Sequence, residues 1–109
     1  MTERKQRTSV CIDYGGNKDF FAVRLACDDM INAHYQKGAI IILRKQKFAN
    51  DGDPIIALHN GKLRFCFYKT NGDDIYLTAA NNNILPTLVK PTDKLVILGK
   101  VCEVRTEVL

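Results

Sequence analysis

The stretch IIALHNGKLRFCFYKTNGDDIYLT, residues 55–78, constrains the fold more than any other part of the chain. Two Asn-Gly pairs, Asn60–Gly61 and Asn71–Gly72, punctuate runs rich in β-branched and aromatic residues. Asn-Gly supplies the positive φ angles of a two-residue hairpin turn, because glycine has no Cβ and asparagine tolerates the left-handed region. The spacing therefore predicts a meander, with strands over 55–59, 62–69 and 74–79 joined at the two pairs.

Similar signals extend outward. FFAVRLAC (20–27) reads as a strand, and so does AIIILRKQ (39–46), whose continuous apolar run fits burial on both faces. Between them, DDMINAHYQKG holds a short helical turn with Met30, Ala33 and His34 on one face. DYGGNKD (13–19) and ANDGDP (49–54) are turns, each dense in residues with special backbone preferences. NNNILPTLVKPTD is a loop with short extended pieces. KLVILGKVCEVRTEV (94–108) closes the chain as a strand or strand pair, with Gly99 a bulge or bend. The sum is a mostly-β domain of about seven or eight short strands. No long amphipathic helix is encoded, so no helix-turn-helix lies in this chain.

At 109 residues the chain is one domain by length, large enough for a core without metal or disulfide staples. Its 46% hydrophobic and 26% charged content is that of a soluble globular protein, and no apolar run could span a bilayer. Residues 1–12 read as a basic linker or tail without the apolar core of a secretory signal, so the expected location is cytoplasmic. The net charge of +4 is mild. Two basic clusters, Arg4–Lys5–Arg7 and Arg44–Lys45–Lys47, lack the density and interleaving of a nucleic-acid interface and read as solvated surface. Cys11, Cys27, Cys66 and Cys102 are scattered without metal-binding spacing, and read as buried small apolar residues.

One ordered set of pieces carries more than a period: Phe20–Leu25, the run Cys27–Asp28–Asp29–Met30, Gly38, Gly52–Asp53, Asn60–Gly61, Gly72 and Gly99–Lys100–Val101. In this order, from about Asp19 to Val108, it resembles the C-terminal domain of LexA-like and phage-repressor proteins, a self-cleaving serine peptidase family, and residues 13–109 are taken as that domain. The resemblance implies a partly open β-barrel of short antiparallel strands, like that of signal peptidases. It also implies a domain that pairs two repressor chains through its closing strand, while a separate helix-turn-helix region outside this chain contacts DNA. A homodimer is expected, without cofactor or membrane contact. Leu95, Val96, Ile97, Leu98, Val101 and Val104 are the candidate interface residues if that strand lies at an edge, although by alternation half of them must be core.

The departures from the family pattern are chemical. Gly-Asp-Ser-Met of the family falls on Cys27, Asp28, Asp29 and Met30, so the nucleophilic serine position holds Asp29. Counted back from Gly72, the catalytic lysine position falls on Cys66. Lys69 is three residues further along, on the opposite face of a strand. A carboxylate has no proton to give and is a poor nucleophile toward an amide. With no cation evident beside it, Cys66 is expected to stay a thiol. The family cleaves an Ala-Gly or Cys-Gly bond, and neither dipeptide occurs here. A catalytically inactive domain is therefore expected, against the alternatives of an active self-cleaving domain or a small-ligand or metal sensor in the vacated cleft.

Other readings are weaker. As metal ligands, Asp28 and Asp29 have only His34 nearby, and a pair capping backbone N–H groups is the plainer reading. Cys66 could form a redox pair with Cys27, or act as a nucleophile with His34 or His59, but two space-filling thiols suffice; His59, beside a hairpin turn, is expected to be exposed. Phe20, Phe21, Phe65, Phe67 and Tyr68 read as core rather than a base-stacking platform.

Overall fold

In the computed structural model, which describes residues 10–105, the predicted meander is present as β4 (Pro54–His59), β5 (Lys62–Asn71) and β6 (Asp74–Thr78). Asn60 and Gly61 take φ of 52° and 82°, the two positive values a tight hairpin requires. The second reversal falls one residue later than expected. Asn71 pairs with Asp74, leaving Gly72–Asp73 as the loop, with Gly72 at φ 63°. Around the meander lie β1 (Cys11–Gly16), β2 (Phe20–Leu25), β3 (Ile40–Lys45), β7 (Thr87–Val89) and β8 (Leu95–Arg105). All join one open antiparallel sheet in the order β1-β2-β3-β8-β4-β5-β6-β7. No helix of the described residues is long and apolar enough to cross a membrane.

β1 occupies residues expected to be linker and turn. Val10 and Cys11 are buried, and pairing with β2 starts at Cys11 opposite Leu25. Gly15 lets the strand continue through a register shift after Asp13. The reversal itself is made by Asn17, whose Oδ1 accepts the backbone N–H groups of Asp19 and Phe20, each at 2.9 Å. Residues 1–9 of the expected linker lie outside the described residues.

Successive strand residues face opposite ways, and the sheet buries both sides. Val23, Leu25, Met30, Ile41, Leu43, Ile56 and Phe65 belong to one core cluster, and Ile55, Ala57, Cys66 and Leu77 to a second. Fully burying a side chain the size of Leu or Phe contributes about 1.5–3 kcal/mol. In β3, Ile41 and Leu43 are wholly buried while Ile40 and Ile42 are half-buried, so the expected two-sided burial is complete on one face only. Phe21, Phe65 and Phe67 pack into the first cluster and Tyr68 against the second, as expected, whereas Phe20 is exposed.

The closing strand is not an edge. β8 runs between β3 and β4, so the premise for edge pairing along its whole length fails. Its partners are staggered: β4 flanks Leu95–Lys100 and β3 flanks Gly99–Arg105. Two register shifts accompany the change of partner, one at Leu98 against β4 and one at Cys102 against β3. The shift at Leu98 matters for packing. Ile97 and Val101 would share a face in a regular strand, but with the extra residue between them they enter different cores. Of the candidate interface residues, Ile97 and Val101 are core, Leu95 and Leu98 are half-buried, and Val96 and Val104 are exposed.

Candidate functional site

The Cys27–Met30 run leaves the end of β2 as a loop pinned at both ends. Ala26 N–H donates to Val10 O at 2.8 Å, and Leu25 exchanges bonds with Ala39 O and Gly38 N–H at 2.9 and 2.8 Å. Met30 is the anchor: it is 1% exposed and belongs to the same cluster as Phe65, against which Tyr35 packs edge-on at 5.2 Å. Asp28 is left in solvent and Asp29 half-covered.

The acid side chains do not cap the following 3-10 turn, Ile31–Ala33, as the plainer reading expected. The backbone of Asp28 performs that task instead, its C=O accepting Ile31 N–H at 3.1 Å. The same oxygen accepts the Asn81 side-chain amide at 2.8 Å, and Asn32 N–H donates to Ala80 O at 2.7 Å. The Asn-rich loop between β6 and β7 thus clamps the motif, a role that sequence reasoning missed. The run of three asparagines at 81–83 was its only signal. His34 ends the turn at φ 68° and is exposed, so it does not extend the face shared by Met30 and Ala33.

Cys66, in the middle of β5, is fully buried. Burial pushes its thiol up to about 12; the Arg64 guanidinium works against this, and the Asp29 carboxylate adds to it. The influence of Asp29 on Cys66 brings the two family-aligned positions into electrostatic reach of each other. Arg64 is a cationic neighbour that the sequence reading overlooked, although the i, i+2 spacing on a strand would have placed it on the same face. It donates to Thr87 Oγ1 of β7 at 3.3 Å, and desolvation outweighs it at Cys66.

Cys27 is also held above the usual thiol range, first by burial; a backbone hydrogen bond from Asp29 lowers it, and the charges of Asp29, Cys11 and Asp28 raise it. Cys27 packs against the first core cluster and Cys66 belongs to the second. Cys102 departs from the expectation of buried cysteines and is exposed.

Lys69 is exposed, its ammonium 5.8 Å from the Phe67 ring centroid, on the strand face opposite Cys66. His59 is not exposed as expected. Its Nε2 lies 2.9 Å from Asp93 Oδ2 and its side chain is 13% accessible, tied into the loop before β8. Among the described residues, no three His, Cys, Asp or Glu side chains gather as a metal site. Asp29 acts electrostatically on both Cys27 and Cys66, whose thiols burial holds above the ordinary range, and Arg64 acts on Cys66.

The order of these pieces along the chain is matched in known proteins. Residues 3–102 match the Peptidase S24-like family. The chain belongs to that family. Within it, this Peptidase S24-like domain is 40% identical over 86 residues to the LexA repressor of Oleidesulfovibrio alaskensis, covering 79% of the chain and 42% of that protein. It is 33% identical over 90 residues to the LexA repressor of Ruminiclostridium cellulolyticum, covering 83% and 41%. The LexA repressor of Moorella thermoacetica is 33% identical over 89 residues, with 82% and 42% covered. The chain thus spans less than half the length of these relatives.

Proposed function

We propose that this Peptidase S24-like chain is a catalytically inactive dimerisation module of a LexA- or phage-type transcriptional regulator, acting in the cytoplasm, with DNA bound by a helix-turn-helix region outside this sequence. The observation that carries the loss of catalysis is the Cys66 thiol, pushed to about 12 in a fully buried position where the family's lysine would stand. A proton acceptor for an attacking hydroxyl must be deprotonated at working pH. Cys66 is not, and Asp29 offers no hydroxyl.

Self-association falls to the outer half of β8. Beyond Lys100, the partner of Ile55, β8 has β3 on one side and no described strand on the other. Val104 is exposed there, at 38%. Strand-to-strand pairing of two copies about this half would satisfy its open backbone groups.

Two measurements test the reading. Incubated at alkaline pH, the purified chain should keep a single intact mass; two fragments with one new terminus would refute inactivity. Molecular mass followed across dilution should fall from dimer to monomer, and Val104→Glu should raise the dissociation constant by about tenfold or more while leaving the far-UV circular dichroism spectrum unchanged. A monomer at every concentration would remove the assembly role.

A further inference from the structure

The inner half of β8 presents a second open edge, on the opposite side of the strand. β3 ends at Lys45, opposite Gly99. Leu95 to Leu98 therefore have β4 along one side, while on the other no strand of the described residues pairs with them. The Gln46 N–H, 3.4 Å from Leu98 O, is the last rung. Alongside this edge opens a groove of about 870 Å³, lined by Phe21, Val23, Ile56 and Leu63 together with the Leu95–Leu98 run. Neither Asp29 nor Cys66 lines it, so it is separate from the degenerate site.

Its polar lining is one-sided. The charged residues that face it are Lys45 and Lys47, with Gln46 between them, and no acid contributes. Lys45, which lines the groove, donates its ammonium to Asn17 O. The chain upstream of Val10 carries Arg4, Lys5 and Arg7 against Glu3, the same sign as the rim, and so does not complement it. Duplex DNA would meet the two lysines but leave the apolar lining unfilled. An extended segment with apolar residues at alternate positions and carboxylates between them satisfies all three features: backbone pairs for the open edge, side chains for the groove, and anions for the lysines.

We propose that this groove docks an extended acidic–apolar segment of another protein, added as a strand along Leu95–Leu98 with its carboxylates toward Lys45 and Lys47.

The probe is a fluorescein-labelled, acetylated eight-residue peptide alternating valine with glutamate. Anisotropy should report saturable binding to the full chain, and hydrogen exchange should slow at the amides of 95–98. The same peptide with lysine for glutamate should bind about tenfold more weakly or worse. Lys47→Glu should weaken the acidic peptide by about tenfold and improve the lysine peptide, and Val96→Lys should abolish binding of the acidic one. Both variants change exposed residues, and an unchanged thermal melt establishes that each is folded. Any of these results would overturn the proposal: no binding at millimolar peptide, binding indifferent to both substitutions, protection mapped away from 95–98, or protection of 95–98 that rises with protein concentration alone and marks a second copy. Displacement of the peptide by duplex DNA but not by unlabelled peptide would do the same.

Discussion

Gly99 illustrates how much a single missing Cβ can decide. A Cβ there would lie 2.7 Å from the Phe21 ring and 2.7 Å from the Arg44 carbonyl oxygen. The ring can turn aside, but the carbonyl belongs to β3 and is held by the sheet. Gly99→Ala should therefore cost about 1–3 kcal/mol in chemical denaturation, the usual penalty of overpacking. The sequence marked Gly99 as irregular, yet its reason lies in β2, far away along the chain. Two titrations follow from other single residues. The Cys66 thiol titrates at about 12 in the fold against an ordinary 9.0. Between those values the unfolded chain has released a proton that the folded one keeps. Stability from this group is full below pH 9 and declines as pH rises toward 12. Cys66→Ala should flatten that alkaline limb in urea melts; parallel limbs would contradict the assignment. Asp93 runs the other way. Its carboxyl is held down to about 2 by His59 first, then by the Lys90 N–H and the Asn60 amide. Its contribution is present above the ordinary 3.8 and is lost as pH falls toward 2, so Asp93→Asn should flatten the acid limb.

At the scale of elements, the β4–β5 hairpin is the best-determined part of the molecule. Its turn is also a fastener. Asn60 N–H donates to Lys94 O and Asn60 Oδ1 accepts Lys94 N–H, both at 2.8 Å, so the hairpin tip holds the entry to β8. Replacing Gly61, at φ 82°, by alanine forces a Cβ into the left-handed region and should cost about 1 kcal/mol. Thermal melts of the variant against the parent check this. Strands with strong alternation or unbroken apolar runs were legible from residue types, because those types respond to the local pleat. β1 was not. Its Asp13, Gly15 and Gly16 are turn residues, and only pairing with β2 from Cys11 to Gly16 makes it a strand. The Cys27–Met30 run and Cys66 were legible as residue types, but their surroundings were not. Asn81 and Ala80 reach the run across the fold through contacts that no local pattern records, whereas Arg64, two residues from Cys66 on β5, was within reach of one.

For the molecule as a whole, the decisive fact is where the last strand goes. β1, β2 and β3 pair in sequence order, and so do β4, β5, β6 and β7. Nothing in the strand pairing joins β3 to β4 directly; β8 lies between them and bonds to both. No residue pattern announces this, since an apolar closing segment suits an edge and a centre equally well. A chain ending before Leu95 should lose cooperative unfolding, seen as a broad, low-amplitude melt by far-UV circular dichroism, whereas one ending after Arg105 should keep it. During synthesis the two ribbons emerge from the ribosome well before the thread that stitches them. Each must wait, with one flank bare, until β8 is free. The interval between translation of Lys45 and emergence of β8 is therefore when this domain is most exposed to mispairing, and when a chaperone would have most to shield.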